Sequence, residues 1–178
     1  MVVGTAVPAQ KFVAHWKSLP KDGLLPNLSA FLNAPDPELQ PFVIILDVLS
    51  EHDVRIRLIG TGLVQLVGRE LTKTNSLDLY AAHLKKRVGA GCVTMVTQPC
   101  GQVTERLIST AGGIIHTATS VALPIAVKGN HLGSLVAYSN SREPVATGDA
   151  MITVHEILAT EWIDVGAGIP PKSLQPLS

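Results

Sequence analysis

Apolar positions recur along this chain with two periods, and the switches between them divide it into elements. Phe12, Trp16 and Leu19 return at helical spacing, which predicts a short amphipathic helix over 9–19, ended by Pro20 and Gly23. Pro26, Pro35, Pro37 and Pro41 punctuate a loop-rich stretch with a helical turn near Leu28 to Leu32. Residues 42–48 are a β-rich run after a proline and predict a buried strand. Beyond the polar turn Glu51-His52-Asp53, Val54, Ile56 and Leu58 alternate with Arg55 and Arg57, the period of a half-buried strand. The two runs predict a hairpin. Gly60-Thr61-Gly62 breaks it, Leu63 to Val67 give one or two helical turns with Thr61 at the cap, and Gly68 closes them.

Ala81, Leu84, Val88, Cys92, Met95 and Val96 then repeat at three and four, one apolar stripe of a longer helix with Lys85, Lys86 and Arg87 towards water. Gly89 and Gly91 interrupt it at about 1 kcal/mol each relative to Ala, a cost that points to close packing. Three β-rich segments follow, Val103 to Thr110, Ile114 to Val127 and Leu132 to Asn140, joined by Gly112-Gly113 and Lys128-Gly129-Asn130. They predict a three-stranded antiparallel meander. Residues 147–165 carry two patterns. Met151, Val154, Leu158 and Trp162 fit a helical stripe capped by Asp149, yet β-branched residues are dense; the helix is the favoured reading. The tail after it reads as loose.

Composition narrows the class. The chain has 178 residues, 46% of them hydrophobic and 4% aromatic, so it is one domain with a Val, Ile, Leu and Ala core. Fourteen Lys plus Arg balance 14 Asp plus Glu, which leaves no electrostatic footprint for nucleic acid or an anionic membrane. Only 16% of residues are charged, so apolar surface is expected to be covered in a homo-oligomer, a dimer. Cys92 and Cys100 fit neither a disulfide framework nor a zinc site. No signal-peptide pattern and no apolar run of about 18 residues occurs, so a cytoplasmic protein is expected.

Several segments in order carry a resemblance. Leu46-Asp47-Val48, then Arg57-Leu58-Ile59-Gly60-Thr61-Gly62, then Val67-Gly68-Arg69-Glu70-Leu71-Thr72 resemble the signature of short bacterial single-domain PAS proteins. Trp16 and Pro26 match the Trp and Pro that precede that signature, and residues 163–168 match the ending that follows it. The similarity runs from about Trp16 to Gly168. Two departures stand out: Lys73 occupies a position where a Gly is expected, and the segment after Pro26 lacks charged residues. The resemblance implies an α+β fold, a PAS-like five-stranded antiparallel sheet with helices on one face, plus an N-terminal helix and a C-terminal extension. Its boundaries would be an N-terminal helical extension over 1–25, the PAS-like domain over 26–145, and a C-terminal helix and tail over 146–178.

Candidate chemistry is sparse. Gly60-x-Gly62 lacks the third glycine of a dinucleotide fingerprint, since Gln65 stands there, and reads as a turn pair. None of the six histidines is spaced as a metal pair, and His83 is a surface residue by its neighbours. No haem or flavin signature is present, so any cofactor is left unknown. Cys92 falls on the core stripe and reads as a small hydrophobe. Small residues beside His116 on one strand face, Ala118, Ser120 and Ala122, leave room for a cavity or for a packed helix. Glu105 is central in the meander and available to pair with a hairpin arginine.

These readings predict a sensory or regulatory module that binds a small molecule or a protein partner and signals in trans, with no catalytic machinery. Its pocket would lie between Leu84, Val88, Cys92 and Met95 of the helix and Leu107, His116, Val136 and Tyr138 of the meander. Arg57 is the candidate clamp for an anionic ligand, although a solvated strand arginine is the favoured explanation. The competing readings are a ligand-free dimerising domain and a small α+β enzyme built on His116, Glu105 and Tyr138.

Overall fold

A computed structural model describes residues 7–109, 115–140 and 152–171. Helix α1 (Val7–Ser18) forms where the Phe12–Trp16 stripe predicted it and ends before Pro20. A two-residue hairpin, β1 (Lys21–Asp22) and β2 (Leu25–Pro26), leads to α2 (Leu28–Asn33), capped by Asn27, which accepts from the Ala30 N–H at 2.8 Å. The predicted hairpin is β3 (Val43–Ser50) and β4 (Asp53–Ile59). Helix α3 (Thr61–Val67) ends at Gly68 with φ +77°, the left-handed turn that glycine adopts without strain. Its N-cap is Gly60 without a side-chain cap, so Thr61 does not play that part. A Cβ at Gly60 would lie 2.4 Å from the Pro41 carbonyl oxygen, so this glycine answers to packing rather than to a nucleotide.

After a 3₁₀ turn at Ser76–Leu79 comes α4 (Ala82–Thr97), then β5 (Cys100–Ser109), β6 (Ile115–Ile125), β7 (Gly133–Ser139) and β8 (Thr153–Asp164). The chain is α+β. Six strands pair in the order β4-β3-β7-β6-β5-β8, every pair antiparallel. Two strands, short helices, a long helix and three strands follow one another as the PAS resemblance implies, with one strand more.

That extra strand corrects the helix expected for 147–165. Thr153–Asp164 pairs along the whole of β5. Two bulges explain the misreading. Ile108 faces Val154 and Leu107 faces Glu156, which leaves His155 as an extra residue; Glu105 faces Ala159 and Arg106 faces Ile157, which leaves Leu158 as another. Each bulge adds one residue to a strand whose period is two. Val154 and Ile157 therefore reach the same core three residues apart, and Leu158 is exposed. A bulged strand mimics helical spacing. Asp149, Met151, the Gly112-Gly113 turn and the tail from 172 lie outside the described residues.

The sheet is covered on both faces. One core, between the sheet and α3 and α4, contains Leu46, Ile56, Leu63, Leu84, Cys92, Met95, Ile108 and Leu135. The second lies between the sheet and α1 and α2, with Phe12, Trp16 and Phe31 against Ile45, Val121, Val136 and Tyr138. Helices on one face are thus only half of the arrangement. Trp16 donates its indole N–H to the Pro124 carbonyl at 3.0 Å, and Phe12 stacks on Tyr138 at 5.6 Å, so α1 is an integral layer. Truncating Phe12 to Ala would cost about 3–5 kcal/mol.

Candidate functional site

The apolar stripe of α4 crosses the sheet, and Val88, Cys92 and Met95, one turn or so apart, face a cavity of about 170 Å³ beneath it. Leu63, Leu66 and Val67 of α3 close one side, and Ile44, Leu46 and Leu135 of the sheet form the floor. The space exists because the floor is built partly from short side chains, Ser120 and Ala122 on β6 and Ala137 and Ser139 on β7. A cavity of this size holds a molecule about as large as one aromatic ring.

The polar groups of the wall come mostly from β5. Gln102, Thr104 and Arg106 alternate with Val103 and Glu105, and the even-numbered set faces α4. The Arg106 Nη1 donates to the Tyr80 hydroxyl at 2.7 Å, and its guanidinium carbon lies 6.0 Å from that ring's centre. Its Nε is buried without a hydrogen-bond partner, and among the described residues no carboxylate stands within ion-pair distance of it. Arg87, expected in water, also lines the cavity. Cys92 is buried, and burial pushes its thiol up to about 12, so it is neutral and unreactive. Burial and the charge of Asp164 push Cys100 up to about 11.

Of the residues that the sequence put in this pocket, Val88, Cys92 and Met95 line it. Leu84 belongs to the same core but lies outside the lining. Tyr138 borders the cavity, yet its ring stacks on Phe12 in the second core, so its contribution is main chain. Val136 belongs wholly to that second core. Leu107 lies one residue out of phase with Arg106 and Ile108 and faces away. His116 shares the phase of Ser120 and Ala122 and pairs with Ile108, which lines the cavity, but is not itself in the lining. Glu105 lies on the face away from α4, so His116, Glu105 and Tyr138 share no cleft.

Arg57 is not at the cavity. It grips Asp47 on the outer face, Nε to Oδ1 at 2.9 Å and Nη2 to Oδ2 at 2.8 Å. Its partner is thus Asp47 rather than Glu105. Ser134 donates to the same carboxylate at 2.8 Å, and the His131 Nε2 approaches the Ser134 oxygen at 2.8 Å. A carboxylate only accepts, so the serine proton points at Asp47 and the histidine must donate. That order is the reverse of an activated nucleophile, whose proton faces a histidine base. With Ser134 only 1% exposed, the cluster is a polar stitch joining β3, β4 and β7.

Sequence reasoning missed Tyr80, Arg106, Arg87, Gln102, Thr104 and Thr160 as lining residues. A signal existed: an arginine within the apolar meander, two residues from Ile108, is costly unless it has a use. No helix among the described residues is long and apolar enough to cross a membrane, and no cluster of potential metal ligands occurs among them. No family model matches the chain, and no curated protein does. Among solved structures it is similar to a fungal LOV domain photoreceptor, described as revealing a conserved pathway that integrates blue light and oxidative stress, at 17% identity and a TM-score of 0.44. That alignment covers 79% of this chain and 94% of the other. A likeness at this level assigns neither ligand nor activity.

Proposed function

We propose that this chain is a non-catalytic sensory module of the PAS type, which takes a small molecule between α4 and the sheet and passes its occupancy to a partner in trans. The observation that carries the reading is the cavity of about 170 Å³ inside the main core, where native packing normally leaves few voids larger than a water molecule. Unfilled, such a space forfeits dispersion contacts along its whole lining, a cost that a ligand removes. Occupancy is read by α4, which forms one wall while its Gly89 backbone touches the β3–β4 turn. The partner is a second copy of this cytoplasmic chain or a separate signalling protein.

Thermal-shift titration with a panel of small apolar compounds tests the pocket. A rise in melting temperature for the native chain, absent in Met95→Trp, is the expected result. Equal responses in both chains, or none in either, contradict it. Native mass spectrometry gives a second readout, a retained small-molecule mass that Met95→Trp loses. Light scattering across a concentration series tests self-association, and a constant monomer mass removes the dimer from the proposal.

A further inference from the structure

Among the described residues the cavity lining contains two arginines and not one Asp or Glu. Both are half-buried, so their charge is only partly hydrated, and no carboxylate among the described lining residues offsets it. The Arg106 Nη1 donates to the Tyr80 hydroxyl, and because that oxygen accepts, its own proton remains to be donated. A positive charge and an unspent hydroxyl proton therefore stand together in the lining of one space.

The strand register adds a second polar feature beside the first. Thr160 pairs with Thr104, Thr104 with Ser120, and Ser120 with Ser139. All four line the cavity, so a row of hydroxyls crosses β8, β5, β6 and β7 on the inner face, two residues along β5 from Arg106. Away from this row the walls are Leu63, Leu66, Val88 and Met95.

From this polarity, and on the reading of the cavity as a ligand site, we infer that the chain binds a small monocarboxylate with a compact apolar body. The carboxylate accepts from the Tyr80 hydroxyl beside the Arg106 charge, and the apolar body packs under α3 and α4. A hydrogen bond with an ionised partner is about twice as strong as a neutral one. The volume limits the body to about one six-membered ring with a short arm, by analogy with apolar cavities of about 150 Å³ that accept benzene.

Calorimetric titration of the full chain with phenylacetate and with its neutral isostere phenylacetamide is the test, repeated on Arg106→Gln, Arg106→Lys and Tyr80→Phe. Phenylacetate is expected to bind the native chain at least about tenfold more tightly than phenylacetamide, and Arg106→Gln to abolish that preference. Arg106→Lys, which keeps the charge and loses the Nη1 bond to Tyr80, should retain part of it, and Tyr80→Phe should weaken the anion alone. If both compounds bind the native chain equally, the carboxylate inference is overturned while the cavity remains a ligand site. If neither binds, both the inference and the ligand-site reading fall. The native comparison needs no variant, so a misfolded Arg106→Gln leaves the outcome decidable.

Discussion

Gly89 and Gly91 lie two residues apart on α4, and the structure assigns alanine opposite effects at the two. A Cβ on Gly89 would lie 1.8 Å from the Glu51 carbonyl oxygen and 2.7 Å from its carbon, whereas ordinary contact begins near 3.4 Å. The obstacle is backbone in the β3–β4 turn, which cannot rotate away. Helix and turn must part by about 1.5 Å, and a gap of 0.5–1 Å already forfeits about a quarter to a half of each contact. Overpacking of this kind costs about 1–3 kcal/mol or more, and the better helix propensity of Ala returns only about 1 kcal/mol. Gly89→Ala is therefore expected to lose about 2 kcal/mol. At Gly91 the nearest atoms to a new Cβ are the Gln102 side-chain Nε2 and Oε1 at 3.9 and 4.0 Å, ordinary contact with a mobile group. Gly91→Ala should therefore gain up to about 1 kcal/mol. Urea unfolding followed by fluorescence, with Trp16 buried in the second core as reporter, gives both midpoints at constant slope. If Gly89→Ala matches the native chain, or Gly91→Ala loses as much as Gly89→Ala, the close approach of α4 to the hairpin is wrong.

Other perturbations follow from the same structure. Lys73 has φ +70°, a left-handed conformation that costs a non-glycine residue about 1–2 kcal/mol, so Lys73→Gly should raise the calorimetric melting temperature; a drop would remove the strain. Ser134→Ala deprives the Asp47 carboxylate of a buried donor and should cost about 1–3 kcal/mol in chemical denaturation, whereas Asp78→Asn, at the exposed end of an ion pair with Lys85, should change stability by less than about 0.5 kcal/mol. Cys92 and Cys100 hold their protons up to about 12 and about 11, against an ordinary 9.0. Below pH 9 both folded and unfolded chains keep these protons. Above it the unfolded chain releases them first, so stability falls by about 1.4 kcal/mol per pH unit for each thiol until its folded pKa is reached. Stability measured from pH 8 to 10.5 should decline less steeply in Cys92→Ala than in the native chain; identical slopes would contradict the burial of that thiol.

Legibility from sequence depended on whether an element has one wet side. The β4 alternation, Val54 and Ile56 inward against exposed Arg55 and Arg57, is readable because β4 is an edge strand with an exposed outer row, but Leu58, expected inward with them, is exposed because a bulge at Arg57 shifts the phase. The α4 stripe was readable for the same reason. On β7 both phases are apolar, Leu135 and Ala137 against Val136 and Tyr138, because helices cover both faces of the sheet. Nothing in that pattern distinguishes the faces, and a slip of one residue sends each side chain to the other core. On β5 the sequence reading expects Leu107 at the pocket, whereas its neighbour Arg106 lines the cavity. The bulges at His155 and Leu158 hid β8 behind helical spacing. Lys73 was the clearest local clue, since a Gly was expected where the backbone does turn left-handed.

Diffraction from crystals under xenon pressure tests the central claim directly, because xenon enters apolar cavities of this size and is excluded from packed interiors. A xenon atom bounded by Val88, Met95, Ala122 and Leu135, absent in Met95→Trp, is the expected result. A native chain with no xenon between α4 and the sheet, its side chains filling that space, would contradict the account.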